Sequence, residues 1–307
     1  MDIRDSILET IGRTPLIRIR KVFRKAGVDL LVKHEGFNPC GSVKERIALS
    51  MVDAAEREGR LSPRMTLVES SSGNTGIGLA MVCAVRGYRL LICMSRDVSV
   101  ERRKMLRALG ADLLLVDGGS DAAWAKADDI AASDPATYFR IHQYRSPENV
   151  RIHYETTGPE IWEQAGGRVD VFVCTLGTTG TIVGAGRFLR EKNPSIRIVS
   201  VEPTEKHQQQ GIRNLTANRV PEIWDPSIAD ERMICTDEHA YRYARALARE
   251  EGIFAGISSG TALWAASEQA KRLPRGVVVA VLPDRGEKYL STPLFDGGGD
   301  PTIEDRP

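Results

Sequence analysis

The strongest constraint on this chain is a rhythm in its hydrophobicity. Short apolar runs of strand length alternate with longer amphipathic runs of helix length. The pattern starts with MTLVE (65–69) and the helix-like NTGIGLAMVCAVRG (74–87), then RLLICM (89–94), SVERRKMLRALG (99–110) and ADLLLV (111–116). It breaks around DPATYFRIHQYRSPENV (134–150) and resumes with VDVFVCTLG (169–177), TGTIVGAGRFLREK (179–192), IRIVSVEP (196–203) and GVVVAVLP (276–283). Such alternation builds βαβ units and predicts an α/β fold with parallel sheet flanked by helices. With 307 residues the chain exceeds the usual single domain, so two domains or one large α/β unit are expected. Between the last two strands, EKHQQQGIRNLTANRVPEIWDPSI (205–228) is polar and rich in turn formers. It reads as a loop too long to be a simple connection.

Charge narrows the partners. Lys and Arg number 42 against 41 Asp and Glu, so no global field draws the chain to nucleic acid or to an anionic membrane. Small molecules are the expected partners. The five cysteines are odd in number and contain no C-x-x-C pair, which fits reduced thiols better than a disulfide framework. The opening MDIRDSILETIG lacks the apolar core of a signal peptide, and no run approaches the roughly 18–20 apolar residues that span a bilayer. A cytoplasmic protein is expected, with a frayed tail, DGGGDPTIEDRP. His34, His142, His153, His207 and His239 show no zinc-like spacing, so no metal is expected.

Three glycine-rich turns follow strand-like runs or open helix-like ones: ESSSGNTG (69–76), LGTTGT (176–181) and GISSGT (256–261). Loops at the carboxyl ends of strands form the ligand crevice of open α/β sheets. In LGTTGT, Gly177 and Gly180 let backbone N–H groups approach an anion, and Thr178, Thr179 and Thr181 add hydroxyls. The turn reads either as a phosphate cradle or as a tight strand-to-helix connection. Neither nucleotide-binding glycine pattern is matched there. SSSGNTG suits a carboxylate at a helix start, or simply caps the helix. GISSGT suits ligand binding or plain helix entry. Lys44, in NPCGSVKER (38–46), falls in what reads as a first helical turn, where partial positive charge disfavours an ammonium. A solvated helix lysine is the plain alternative. A lowered amine pKa is what capture of an aldehyde cofactor requires. Phosphate cradle, carboxylate cradle and reactive lysine together describe amino-acid chemistry with pyridoxal phosphate.

At this point the motifs become recognisable. NPCGSVKER, SSSGNTG, HQYRSPENVRIHYETTGPEIW, LGTTGT, GIFAGISSGT and DRGEKYLST stand in the order of the cysteine synthase family, and the chain resembles it from IGRTPL (11–16) to about Ser291. The GTTGT form and the GPEIW segment are most similar to the cysteine synthase B branch, with the cystathionine β-synthase core a near relative. The resemblance implies a fold-type II pyridoxal phosphate enzyme, similar to the tryptophan synthase β chain, with two domains that each hold a mostly parallel twisted sheet. Residues 1–12 and 35–147 would form the smaller mobile substrate domain, and 13–34 and 148–307 the larger cofactor-phosphate domain. A homodimer is implied.

Carried over by position, the resemblance makes Lys44 the Schiff-base lysine and Asn74 the partner of the cofactor's phenolic oxygen. Gly177, Thr178, Thr179, Gly180 and Thr181 would hold the phosphate, and Ser258 the pyridine nitrogen. Ser71, Ser72, Asn74, Thr75 and Gln143 would bind the substrate carboxylate. Two positions depart from the family: Ser71 replaces a usual Thr, and Glu45 a usual Asp. Lys44 would remove the Cα proton, and β-elimination would give an aminoacrylate to which a sulfur nucleophile adds. Arg213 lies in GIRNL, which with VPEIWDP is similar to O-phosphoserine-dependent cysteine synthases, so O-phospho-L-serine and O-acetyl-L-serine both stand as donors. Arg213 reads either as a phosphate fork or as a surface arginine on a mobile loop. β-Replacement with another nucleophile, as in cystathionine synthesis, and a degenerate homologue that binds without turnover are the alternatives. Cys40, beside the lysine motif, reads as a small filler at a turn.

Overall fold

The computed structural model describes residues 3–295, so the tail expected to fray lies outside the described residues. Among the described residues, ten strands form two sheets: β1 (Leu16–Arg18), β2 (Val28–His34), β3 (Thr66–Ser70), β4 (Arg89–Ser95), β5 (Asp112–Val116), β6 (Tyr138–Arg140), β7 (Val171–Thr175), β8 (Arg197–Pro203), β9 (Glu231–Cys235) and β10 (Gly276–Leu282). The helices are α1 (Lys44–Arg57), α2 (Asn74–Arg86), α3 (Val100–Ala108), α4 (Gly119–Ser133), α5 (Glu148–Ile152), α6 (Gly158–Gln164), α7 (Gly180–Lys192), α8 (Asp237–Glu251) and α9 (Ile257–Arg272). A π-helical turn, His153–Thr157, joins α5 to α6. The larger sheet runs β1-β2-β10-β7-β8-β9 and the smaller β5-β4-β3-β6. All pairings are parallel except β1 with β2. The α/β class with parallel sheets flanked by helices is therefore as expected.

The apolar runs become strands because both faces of each sheet are covered, which calls for near-continuous hydrophobic residues. In β10, Val278, Ala280 and Leu282 join one core cluster while Val277, Val279 and Val281 join another. That is the period-two alternation of a strand between two helical layers. In the smaller sheet, Leu67 and Ile92 face one cluster, and Val68 and Cys93 the opposite one. Helix ends follow local chemistry. Gly87 and Gly252 stop α2 and α8 in left-handed conformations (φ 78° and 70°), and Thr236 caps α8 by accepting from His239 N–H. Two strands escape the expected pattern. The break at 134–150 contains β6, only three residues long, and β2 carries buried Lys33 and His34 among its apolar positions. Among the described residues, no helix is long and apolar enough to cross a membrane. The five cysteines are unpaired.

Candidate active site

The strand ends bring the glycine-rich turns together. β3 delivers Ser71, Ser72, Asn74 and Thr75, and β7 delivers Gly177 and Thr178. Helix α1 is tied to the end of β10, because Val43 N–H donates to Pro283 O at 2.8 Å. Ser71, Ser72, Asn74, Thr75, Gly177 and Thr178 line one cleft of about 990 Å3, with Lys44, Gln143 and Arg213. Thr179, Gly180, Thr181 and Ser258 are not among its lining residues.

Lys44 is the first residue of α1, and a capping box explains why the helix starts there. Ser42 and Glu45 have the S-x-x-E spacing. Ser42 N–H donates to Glu45 Oε1 at 3.0 Å, Ser42 Oγ to Glu45 Oε2 at 2.5 Å, and Lys44 N–H to Ser42 Oγ at 3.2 Å. Glu45 is fully buried, so this position, unusual for the family, has a structural task. The half-buried Lys44 side chain makes no hydrogen bond or ion pair with another described residue. Burial holds its amine below the usual lysine value, against the opposing pull of Cys174, Asp284 and Glu45. Cys40 packs its sulfur 3.5 Å from that of Met81, and burial pushes its thiol up to about 11, as a filler and not a nucleophile.

Asn74 is held at both ends of its amide. Nδ2 donates to Asp284 Oδ2 at 2.7 Å, and Oδ1 accepts from Lys288 Nζ at 3.0 Å. One N–H of Nδ2 remains for a ligand. Tyr289 OH also donates to Asp284 Oδ2, at 2.7 Å, while Asp284 Oδ1 is buried without a partner. Arg102, from α3, crosses beneath the serine loop and reaches Ser72 O at 3.4 Å and Gln210 Oε1 at 2.7 Å. A side chain at Gly73 (φ 144°) would collide with it at 2.4 Å, so glycine there makes room for the arginine. Ser71 Oγ accepts from Gly73 N–H at 3.0 Å and from Gly76 N–H at 3.1 Å. That leaves the first N–H groups of α2, from Asn74 and Thr75, open toward an anion.

The LGTTGT turn carries the clearest ligand signature. Thr179 sits in the left-handed region (φ 71°), costly for a β-branched residue and found where structure is under functional constraint. Thr178 Oγ1 and Thr179 Oγ1 are buried with no hydrogen-bond partner. Thr181 Oγ1 is 3.1 Å from Nε2 of His153, whose Nδ1 is 2.8 Å from Thr157 Oγ1. Burial, and then the Lys44 charge, keep His153 well below the ordinary histidine value, so this ring is neutral. Ser258 is buried at the start of α9 with no partner for its hydroxyl among the described residues.

Two expected ligands prove to be occupied. Gln143 Nε2 donates to Ser70 O and its Oε1 accepts from Thr75 Oγ1, both at 2.6 Å. Arg213 is 5% exposed, which excludes the surface-arginine alternative. Its Nη1 donates to Asp121 Oδ1 at 3.1 Å and its Nη2 to Tyr144 OH at 3.0 Å, and its plane lies 4.5 Å over the Tyr144 ring. Asp284, Lys288, Arg102, Asp121 and His153 escaped the sequence reading. DRGEK and HQYRSPENVRIHYETTGPEIW, which hold Asp284, Lys288 and His153, were legible as motifs but offered these residues no role, and Arg102 and Asp121 lie in segments without a motif of their own.

A crevice at the strand ends with an anion-ready helix start, an uncapped threonine turn and an unpaired lysine defines a class of enzyme. The sequence matches the family described as Pyridoxal-phosphate dependent enzyme over residues 7–284, and the chain belongs to that family. Within it, the chain is 43% identical over 291 residues to cysteine synthase B of Salmonella typhimurium, covering 95% of this chain and 96% of that one. The fold matches a cysteine synthase from Entamoeba histolytica with TM-score 0.92 and 38% identity, covering 98% of this chain and 93% of that one. It matches equally, at TM-score 0.92 and 44% identity, a lysine-to-alanine variant of O-ureido-L-serine synthase bound to O-ureido-L-serine, covering 99% and 97%. The residues present fit the cofactor. The two partnerless threonine hydroxyls need an acceptor that a phosphate supplies, and Thr178 lines the same cleft as Lys44, whose amine is unpaired among the described residues.

Proposed function

We propose that this chain makes L-cysteine from an O-activated L-serine and a sulfur donor. The observation that carries this reading is the meeting of Lys44, the serine loop and Thr178 around one cleft, with the hydroxyls of Thr178 and of its neighbour Thr179 buried without a partner. Pyridoxal phosphate supplies an aldehyde and an electron sink for β-elimination and addition. Gly177, Thr178, Thr179, Gly180 and Thr181 would hold the phosphate, with the Thr181 hydroxyl oriented by His153. Ser258 would meet the ring nitrogen and Asn74 the phenolic oxygen. The N–H groups of Asn74 and Thr75, with Ser71, Ser72 and Gln143 around them, would bind the substrate carboxylate. Lys44 Nζ would anchor the cofactor and then move the Cα proton, a role that a lowered amine pKa favours. Closure of the smaller unit (1–12 and 35–147) over the larger one, a homodimer and a cytoplasmic location belong to the same proposal.

O-Acetyl-L-serine and O-phospho-L-serine remain the candidate donors, and Arg213 would meet the leaving group. The likeness to O-ureido-L-serine synthase favours a second reading, β-replacement with a nucleophile other than sulfide. The test is to add pyridoxal phosphate to purified protein, record the visible absorbance of the lysine-bound cofactor, and supply each donor with sulfide. Cysteine formed by wild type and not by Lys44→Ala supports the proposal. A cofactor band with no cysteine, but with turnover of another nucleophile, would favour the second reading. No band at all would refute both.

A further inference from the structure

The 71–75 loop and Gln143 come from different strands, and something must set their spacing. Beneath them lies a fully buried carboxylate, Glu69, at the end of β3. Its Oε1 accepts Ser70 N–H at 2.7 Å, and its Oε2 accepts Gln143 N–H at 2.9 Å. One side chain therefore holds the roots of both segments. Arg140, at the end of the neighbouring β6, pairs with the same Oε1. It also donates Nη2 to Ser70 Oγ at 3.1 Å, Nη1 to Val68 O at 3.4 Å and Nε to Asp128 Oδ1 at 3.0 Å. Gln143 closes the ring through Ser70 O and Thr75 Oγ1. Beyond it, Asn149 Nδ2 donates to Gln143 O at 2.8 Å and packs against Gly180 of the threonine turn.

A buried ion pair is a poor stabiliser compared with apolar residues of the same volume, because desolvation offsets most of its attraction. Its directional hydrogen bonds are what an apolar replacement cannot supply. We propose that Glu69 and Arg140 are positioning residues that fix the distance between the 71–75 loop and Gln143 and so aim that loop at the substrate carboxylate. The inference rests on the reading of the site as an amino-acid enzyme that uses pyridoxal phosphate. It adds two residues, neither touching substrate, whose loss is felt as carboxylate recognition and not as cofactor binding.

The experiment uses the cofactor-loaded enzyme and the double variant Glu69→Leu/Arg140→Leu, which leaves no unpaired buried charge. L-Serine and ethanolamine, the same amine and hydroxyl without the carboxylate, are titrated by their effect on the cofactor absorbance. The expected result is a loss of L-serine affinity of about tenfold or more, with ethanolamine and cofactor affinity within about twofold of wild type. KM for O-acetyl-L-serine should rise by a similar factor while kcat changes little, the mark of lost uniform binding. Equal weakening of both ligands, or no weakening of L-serine, would overturn the proposal. Should the double variant fail to fold, Arg140→Lys, which keeps the charge but not the fork, is put through the same comparison, with a smaller loss in the same direction expected. If wild type forms no cysteine yet the L-serine and ethanolamine difference appears, the activity assignment fails and the positioning role stands.

Discussion

Replacing Gly180 with alanine would test the architecture of the phosphate turn directly. Gly180 opens α7 without a positive φ, so backbone preference alone favours alanine there by up to about 1 kcal/mol. The structure argues the opposite sign. An added Cβ would lie 1.9 Å from Asn149 Oδ1, 2.5 Å from Asn149 Cγ and 2.9 Å from Asn149 O. Overpacking of this kind costs about 1–3 kcal/mol. If Asn149 swings aside instead, the buried carbonyl of Gln143 loses its 2.8 Å donor, at about 1–3 kcal/mol. Each ~1.4 kcal/mol is a factor of ten, so a 10- to 100-fold loss of pyridoxal phosphate affinity, roughly 1.4–2.8 kcal/mol, is the expected outcome. The assay titrates cofactor-free protein and follows the visible absorbance of the bound form, with a urea unfolding midpoint alongside. The double variant Gly180→Ala/Asn149→Ala removes the two closest colliding atoms and should recover part of the loss, a coupling of about 1 kcal/mol or more. A single variant that binds cofactor within twofold of wild type, at an unchanged midpoint, would refute the packing argument.

Three further outcomes follow from other contacts. His34, 6% exposed, has its pKa lowered from 6.5 to about 4 by burial, so the folded protein resists a proton that the unfolded chain accepts. Stability is therefore full above about pH 6.5 and falls by up to about 3 kcal/mol on descent through pH 4; urea midpoints across that range should flatten in His34→Asn. Ser42→Ala removes the hydroxyl half of the box at the start of α1, its bond to Glu45 Oε2 and the one it accepts from Lys44 N–H, and should cost about 1–2 kcal/mol, seen as a lower urea midpoint at unchanged slope. Asp121→Asn should release the Arg213 fork and raise kcat/KM for O-phospho-L-serine relative to O-acetyl-L-serine by several-fold; an unchanged ratio would show that Arg213 does not read the leaving group.

What could be read in the sequence and what could not divide along a physical line. The strands buried on both faces announce themselves, because VFVCT and GVVVAVL have no polar face to hide. β2 did not, since Lys33 and His34 interrupt it, and Lys33 is tolerated there only because Glu160, Gln164 and Thr14 O gather around its amine. The same holds for the site. Lys44, the serine loop and the threonine turn are local features, in which glycine and hydroxyl side chains cluster within a few residues to meet a backbone requirement. The S-x-x-E box at Ser42 and Glu45 is local as well, though in the sequence Glu45 stands out only as a departure from the family pattern. The groups that orient them are not local. A buried polar side chain must find a partner, but nothing constrains where along the chain that partner lies. Arg213 meets Asp121 across 92 positions, Asn74 meets Asp284 across 210, and Glu69 meets Gln143 across 74. Whether an arginine in a polar loop is a surface charge or a buried fork therefore depends on a carboxylate that no window of sequence contains. Here the fork is already engaged on both arms. A phosphate-bearing donor would thus either compete with Asp121 for Nη1 or use the N–H groups of Arg213 that these contacts leave over, whereas a neutral ester makes no such demand.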